Sequence, residues 1–166
     1  MQPEEGKKRA AGGSKSGSGE GGPAPKILIA DDDLQSVELL EAYLADTGYE
    51  VRTSTDGEAT QRETQQWQPD VILLDIMMPK ISGFEVCKRL RANSSSRSIG
   101  ILMITALDQS SDVERAVEAG TDDFLTKPIN KTELLLRIRS LLKSRQNQSN
   151  LDRALAYIEA VERGEK

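Results

Sequence analysis

Short apolar runs alternate with segments of helical periodicity from residue 26 to residue 143, and this alternation restricts the chain to few architectures. Some runs, such as 71–74, are apolar at every position, which is typical of strands covered by helices on both faces. Strands that alternate with helices form a parallel, doubly wound sheet. We therefore predict an α/β fold of five helices and five strands, the strands being 26–30, 50–54, 71–74, 99–104 and 123–126.

Capping residues mark where the helices begin. Asp33 precedes the first helical stretch, and Ser82 and Asn130 are each followed three residues later by a glutamate, the spacing of a capping box. The helices are expected to start near residues 34, 57, 83, 111 and 131, and the second has the weakest amphipathic pattern.

The start of the chain differs in composition from the remainder. Residues 1–25 are rich in Gly, Ser, Lys and Glu, and they contain almost no large apolar side chain. Such a segment buries too little surface to offset the entropy lost on ordering. We therefore expect a disordered N-terminal tail at residues 1–25, followed by a folded domain over residues 26–143.

A helical extension is predicted over residues 144–166. Leu151, Leu155 and Ile158 recur at spacings of four and three, and the polar stretch before them contains no Pro or Gly. We expect the last helix of the domain to run on through this segment and to form a homodimer through the apolar stripe. The alternative is a short separate helix that folds back on the domain.

Composition argues against several classes of protein. The chain has no histidine, which excludes a Ser-His triad and a histidine-ligated metal site. Its net charge of −5 argues against direct nucleic-acid binding, because phosphate backbones attract clustered cations. Cys87 is the single cysteine, so no intrachain disulfide forms and a cytoplasmic location is expected. No apolar run approaches the roughly 20 residues that span a bilayer, so no membrane association is expected.

Polar side chains follow the predicted strands at one edge of the sheet. Right-handed crossovers place the carboxyl ends of all the strands at this edge, where such sheets bind their ligands. Each side chain alone is compatible with an ordinary turn, cap or surface position, but their shared placement predicts one pocket. The residues are Asp31 and Asp32 after the first strand, Asp75 after the third, Thr105 at the end of the fourth and Lys127 after the fifth.

The pocket has the charges of a magnesium site. Carboxylates that are placed together repel and raise one another's pKa values unless a cation relieves the repulsion. All-oxygen ligands with room for water suit Mg²⁺. The charges of three aspartates, Lys127 and Mg²⁺ sum to zero, so that an anionic phosphoryl group would meet no net repulsion.

These residues and their neighbours resemble the receiver domains of two-component response regulators. The resemblance covers about residues 26–143, and it implies a flavodoxin-like fold with strand order 2-1-3-4-5. It also implies a phosphorelay switch in which Asp75 accepts a phosphoryl group from a sensor histidine kinase or a phosphotransfer protein. The matching motifs are Asp31-Asp32, Asp75-Ile76-Met77-Met78-Pro79, Ser82-Gly83-Phe84-Glu85, Thr105-Ala106 and Lys127-Pro128.

The same resemblance gives each site residue a role. The oxygens that bind Mg²⁺ are expected from Asp31, Asp32, Asp75 and the backbone carbonyl of Met77. The groups that bind the phosphoryl oxygens are expected from Thr105, Ala106 and Lys127. The protein would assist only its own phosphorylation and dephosphorylation, and would not otherwise be an enzyme.

Phosphorylation is expected to act as a two-state switch. Thr105 would move towards the phosphoryl group, and Phe124, the switch aromatic, would rotate inwards. The face formed by helix four, strand five and helix five would then change and control a partner or dimerisation. The resemblance also implies a cis peptide between Lys127 and Pro128.

Two other interpretations stay open. Asp31-Asp32-Asp33 contains the Asp-x-Asp of Mg²⁺-dependent phosphatases of the haloacid-dehalogenase type, with Asp31 as the nucleophile. However, Gln35 stands where such enzymes usually have Thr or Val, and Asp75 is left without a role. The other interpretation is a receiver-like scaffold that is never phosphorylated. The sequence also leaves open whether the chain is a stand-alone receiver or a fragment of a larger regulator.

Overall fold

The computed structural model describes residues 22–106 and 110–164, so most of the predicted N-terminal tail lies outside the described residues. Strands and helices alternate along the described chain. The strands are β1 (Lys26–Ala30), β2 (Glu50–Ser54), β3 (Val71–Leu74), β4 (Gly100–Thr105) and β5 (Asp123–Thr126). The helices are α1 (Leu34–Leu44), α2 (Gly57–Trp67), α3 (Gly83–Ala92), α4 (Ser110–Ala119) and α5 (Lys131–Glu162).

The strands form one parallel sheet in the order β2-β1-β3-β4-β5. This confirms the predicted flavodoxin-like, doubly wound fold. The chain moves from β1 outwards to β2 and then crosses back to β3 on the other side of β1. The winding therefore reverses between β1 and β3, and a crevice opens there at the carboxyl edge of the sheet.

The sheet is buried between two layers of helices because its central strands are apolar throughout. In β1, Ile27 and Ile29 pack in the apolar cluster of α1 and α5, whereas Leu28 and Ala30 pack in the cluster of α2, α3 and α4. Each buried Leu or Ile side chain contributes roughly 1.5–3 kcal/mol relative to exposure. The two clusters thus fix the strands, and with them the polar residues at the strand ends.

The predicted helix caps are present. Asp33, Ser82 and Asn130 are the N-caps of α1, α3 and α5, and each side chain accepts a hydrogen bond from a backbone amide of the first turn. In a full capping box the Glu85 side chain would also accept a hydrogen bond from the Ser82 amide, and this part of the prediction was wrong. The Glu85 carboxylate instead pairs with Arg89 at 3.2 Å, one helical turn further on.

Helix α2 owes its weak amphipathic pattern to buried threonines. Thr60 and Thr64 are fully buried, and their hydroxyls lie 2.8 and 2.7 Å from the backbone carbonyls of Asp56 and Thr60. The Thr60 hydroxyl also lies 2.7 Å from the hydroxyl of Ser54 at the end of β2. These hydrogen bonds let polar side chains occupy core positions without a desolvation penalty.

Some apolar residues at helical spacing do not face the core. Val37, Leu40 and Leu44 of α1 are buried, but Leu34 is 66% exposed although it precedes them at the same spacing. Leu34 begins α1 just beyond the strand ends, where no sheet residue remains to cover it. Val117 of α4 is exposed to the same extent.

Helix α5 continues without interruption for 32 residues, so the predicted extension is not a separate helix. Its first turns bury Leu134 and Ile138 against the sheet. At about 1.5 Å per residue the helix is about 48 Å long, and its second half projects from the domain. The large apolar side chains exposed there are Leu151, Leu155, Tyr157, Ile158 and Val161.

No helix within residues 22–106 and 110–164 combines the length and the hydrophobicity that crossing a bilayer requires.

Candidate functional site at the carboxyl edge of the sheet

The register of β1 and β3 places Asp31 beside Asp75. Ala30 pairs with Leu74, and the two aspartates are the next residues of the paired strands. The backbone amide of Asp75 donates a 2.9 Å hydrogen bond to the carbonyl of Ala30, which extends the pairing past the end of β3. Both carboxylates therefore enter the crevice from the two strands between which the winding reverses.

The register of β4 and β5 brings two further residues to the same edge. Thr105 pairs with Thr126, and Lys127 follows directly. The amide of Lys127 donates a 2.8 Å hydrogen bond to the carbonyl of Thr105. The peptide between Lys127 and Pro128 is cis. Strand pairing thus fixes the backbone from which the lysine side chain reaches the carboxylates.

Asp31, Asp32 and Asp75 form a cluster of carboxylates, with one oxygen of each lying within 4.8 Å of the others. Asp31 and Asp75 are only 2% and 6% exposed, whereas Asp32 is exposed. The amides of Asp33 and Met77 donate to Oδ1 of Asp31 and of Asp75, at 2.9 and 3.4 Å. The cluster is therefore held by backbone on its buried side and is open to solvent on the other.

Lys127 is the counter-charge of the cluster. Its Nζ lies 3.0 Å from Oδ2 of Asp31 and 3.7 Å from Oδ2 of Asp75. One ammonium thus contacts both buried carboxylates. Because it faces the residues from β1 and β3 together, it is positioned to contact an anion bound between them.

The electrostatics of the site favour a further cation. Burial, followed by the neighbouring charge of Asp31, raises the pKa of Asp75 to about 6, and the charge of Lys127 offsets this only in part. Burial alone would lower the pKa of Lys127. The hydrogen bond to Asp31 and the charges of Asp75, Asp31 and Asp33 outweigh that effect, so the pKa of Lys127 is raised. The ammonium stays charged, yet it does not fully balance the aspartates.

The loop between β3 and α3 packs directly under the site. A Cβ atom on Gly83 would lie 2.2 Å from the carbonyl oxygen of Asp75 and 2.8 Å from Cα of Ile76. The amide of Gly83 donates a 2.8 Å hydrogen bond to the carbonyl of Ile76. Only glycine allows this close approach. It brings the start of α3 against the backbone that carries Asp75.

The remaining predicted site residues lie near the same edge. Thr105 is buried, Ala106 is exposed, and Phe124 is partly buried against the apolar cluster that includes Met103 and Ala116. Their roles towards a phosphoryl group stay a prediction. β4 and β5 are adjacent parallel strands, and Thr105 pairs with Thr126 at the carboxyl end of both.

One polar contact of the site was not predicted from the sequence. The Ser36 hydroxyl in α1 lies 3.1 Å from Nζ of Lys127 and 3.1 Å from Oδ2 of Asp33. The only sequence feature that could have indicated this contact is the position of Ser36 one helical turn after the cap residue Asp33. The alternation of strands and helices gives no indication that this turn reaches a lysine 91 residues away in the chain.

The donor set fits a magnesium ion. It consists of carboxylate oxygens of which two are largely buried, with a solvent-facing side that leaves room for water, and Mg²⁺ favours this environment. Asp75 is one of the three carboxylates of this cluster. A phosphatase mechanism with Asp31 as the nucleophile assigns no function to Asp75.

Residues 27–139 match the model of the family described as the response regulator receiver domain. Two curated relatives are RpaA of Synechocystis, a DNA-binding transcriptional regulator by name, and PhoP of Bacillus subtilis, the regulatory protein of alkaline phosphatase synthesis. RpaA is 44% identical over 119 residues, which are 72% of this chain and 49% of RpaA. PhoP is 41% identical over 118 residues, which are 71% of this chain and 48% of PhoP. The chain thus spans about half the length of these relatives.

Solved structures show the same fold. The chemotaxis protein CheY4 of Vibrio cholerae superposes with a TM-score of 0.68 at 32% identity, covering 72% of this chain and 99% of CheY4. The receiver domain of a signal transduction histidine kinase from Syntrophus aciditrophicus superposes with a TM-score of 0.69 at 33% identity, covering 73% of this chain and 92% of that domain.

Proposed function

Because this chain belongs to the response regulator receiver domain family, we propose that it is a phosphorelay switch whose Asp75 accepts a phosphoryl group in the presence of Mg²⁺. One observation carries this proposal. Two buried carboxylates from adjacent strands and the exposed Asp32 share a cluster within 4.8 Å, and Lys127 contacts both buried members. The proposed domain spans residues 26–143.

Asp75 is the proposed acceptor because the Asp75-Ile76-Met77-Met78-Pro79 motif resembles the acceptor segment of receiver domains and its carboxylate lies in the cluster. With a pKa of about 6 it is mostly ionised at neutral pH, so one oxygen can attack the phosphorus of the donor. An O–P bond forms as the P–N bond of a phosphohistidine breaks, and the imidazole leaves with the bonding electron pair. The ammonium of Lys127, 3.7 Å from Asp75, is placed to stabilise the charge on the transferring oxygens.

Mg²⁺ would be held by Asp31, Asp32, Asp75 and the backbone carbonyl of Met77. When bound, it supplies positive charge that offsets the carboxylates and the phosphoryl oxygens. The hydroxyl of Thr105 and the amide of Ala106 would donate hydrogen bonds to the same oxygens.

The proposed donor is a sensor histidine kinase or a phosphotransfer protein, and an apolar rim beside the site supports a protein partner. Leu34 and Leu39 of α1 are 66% and 44% exposed. A groove of about 250 Å³ runs between α1 and the cis Pro128, with Lys127 in its wall. A protein that brings an imidazole to Asp75 would cover these side chains. Direct binding of nucleic acid is not expected of a chain with a net charge of −5.

The output would pass through β5 and α5. Phe124 lies in β5 and packs in the apolar cluster of the sheet. The neighbouring Asp123 forms a 3.1 Å ion pair with Arg137 of α5. A rotation of Phe124 would disturb the packing of β5 beside α4. A shift of β5 would then reach α5 through the Asp123–Arg137 ion pair, change the face formed by α4, β5 and α5, and regulate a partner or dimerisation.

The extension of α5 is the proposed dimer contact. A helix segment of this length without tertiary packing is only marginally stable in water, so its exposed apolar side chains need a cover. Leu151, Leu155 and Ile158 recur at spacings of four and three residues, as in a coiled coil, and Val161 follows three residues later. Sedimentation velocity should detect a dimer that dissociates when Ile158→Asp is introduced. The matched control is Tyr157→Asp, because Tyr157 lies outside this spacing.

Phosphorylation of the purified chain tests the main proposal. Incubation with acetyl phosphate and Mg²⁺ should add one phosphoryl group, and peptide mass spectrometry should locate it on Asp75. Asp75→Asn should abolish the addition, and so should chelation of Mg²⁺. Label on Asp31 would point to a phosphatase nucleophile, and a parent protein that takes no label would be a scaffold; either result would contradict the proposal.

A further inference from the structure

Ser36 is the unexpected neighbour of Lys127. Its hydroxyl lies in the first turns of α1, and the 3.1 Å distance to Nζ of Lys127 is that of a hydrogen bond donated by the ammonium. The same hydroxyl donates to Oδ2 of Asp33 at 3.1 Å. Ser36 therefore connects the cap of α1 to the lysine of the site.

The ammonium of Lys127 has three N–H groups, and three side-chain oxygens lie around it. Nζ lies 3.0 Å from Asp31 and 3.1 Å from Ser36, both hydrogen-bond distances, and 3.7 Å from Asp75, which is too long for a hydrogen bond. The contacts to Asp31 and Ser36 hold the ammonium, and its remaining side lies towards Asp75, the proposed acceptor.

We propose that Ser36 is a positioning residue that holds the ammonium of Lys127 with one N–H directed at Asp75. This inference rests on the proposed function, and it adds a group that touches neither metal nor phosphoryl oxygens. Without the hydroxyl, Lys127 keeps one fixed contact, to Asp31, and the flexible four-carbon stem can turn the ammonium towards solvent. The ammonium would then have to be reoriented towards Asp75 before it could stabilise the transition state, and phosphoryl transfer would be slower.

Phosphorylation rates in a double-mutant cycle test the inference. Ser36→Ala should slow labelling of Asp75 by acetyl phosphate about three- to tenfold, the effect of losing one typical intramolecular hydrogen bond. In a Lys127→Ala background the same substitution should have no further effect, because its target is gone. Gln35→Ala, on the same turn of α1, is the matched control and should label at the parent rate.

Two results would overturn the inference. One is a Ser36→Ala protein that labels as fast as the parent. The other is an equal slowing in the presence and absence of Lys127, which would assign the effect to the cap of α1. A parent protein that takes no label would contradict the proposed function instead, so the two failures are distinguishable.

A second measurement needs no phosphorylation. Trace acetylation with acetic anhydride reports how firmly each lysine amine is held, and Lys131 in the same digest serves as the internal standard. Ser36→Ala should increase the labelling of Lys127 severalfold relative to Lys131, and Gln35→Ala should not. Unchanged labelling of Lys127 would show that the hydroxyl does not hold the ammonium, whatever the phosphorylation rates are.

Discussion

The ammonium of Lys127 donates a 3.0 Å hydrogen bond to Oδ2 of Asp31, although the two residues are 96 positions apart in the chain. This contact joins the first and the last strand of the chain across the crevice. It also places a cation inside a cluster that is proposed to bind another cation. The lysine and the metal should therefore compete for the same carboxylates.

Lys127→Ala should bind Mg²⁺ more tightly than the parent. The ammonium repels a divalent ion bound to the same carboxylates, and its removal should raise the affinity about tenfold, or ~1.4 kcal/mol. Isothermal titration calorimetry measures the change. Lys143→Ala, which removes an exposed charge from α5, should leave the affinity unaltered. Weaker Mg²⁺ binding by Lys127→Ala would mean that the lysine supports the metal site rather than opposing it.

Asp75→Asn should stabilise the metal-free protein at neutral pH. The pKa of Asp75 rises from 3.8 to about 6 on folding, so between these pH values the folded chain keeps a proton that the unfolded chain has lost. Raising the pH through this window therefore lowers the free energy of unfolding, by about 1–3 kcal/mol. Urea unfolding at pH 4 and pH 7 in the presence of a chelator should show this loss in the parent and a smaller one in Asp75→Asn. An equal loss in both proteins would place the destabilising titration elsewhere.

Gly83→Ala should destabilise the protein and displace the backbone that carries Asp75. The added Cβ would lie 2.2 Å from the carbonyl oxygen of Asp75, and both partners belong to backbone that cannot turn aside. We expect a loss of about 2–4 kcal/mol in the free energy of unfolding and slower labelling of Asp75. Gly22→Ala is the control, since a Cβ there meets no atom within 4 Å. Parent-like stability of Gly83→Ala would show that the loop adapts more readily than the packing indicates.

Met77→Asn should shorten the lifetime of phosphorylated Asp75. Met77 is 64% exposed two residues after the acceptor, and its apolar side chain offers no hydrogen bond to an attacking water. An amide at this position could orient that water, and hydrolysis should become about two- to tenfold faster. Loss of label after removal of acetyl phosphate measures the rate. The resemblance to receiver domains implies the same role for Leu107, an apolar residue two positions after Thr105, which lies outside the described residues.

Most of the fold could be predicted because local patterns coincided with the tertiary arrangement. The apolar strands end where Asp31, Asp75 and Thr105 begin to face the crevice, and the caps at Asp33 and Asn130 start helices where the connections require them. Parallel pairing then brings the strand ends together without any information on side-chain contacts. The carboxylate cluster follows from this topology alone.

The contacts that could not be predicted depend on packing between distant segments. Ser36 reaches Lys127 only because α1 packs against the edge where β5 ends. Leu34 shares the spacing of core residues, yet it is exposed because α1 begins beyond the sheet. Thr60 is buried because Ser54 provides a hydroxyl partner. Each of these outcomes depends on how one element packs against another, and the periodicity of a single segment does not predict that packing.

Helix α5 begins four residues after Lys127 and extends about 48 Å from that point. In a helix of this length, a small change of orientation at the N-terminus produces a larger displacement at the C-terminus. A tilt of about 5° where α5 meets β5 would shift the far end sideways by about 4 Å. If Asp75 is phosphorylated and α5 forms a dimer as proposed, such a movement would align or separate the apolar rows of the two α5 helices.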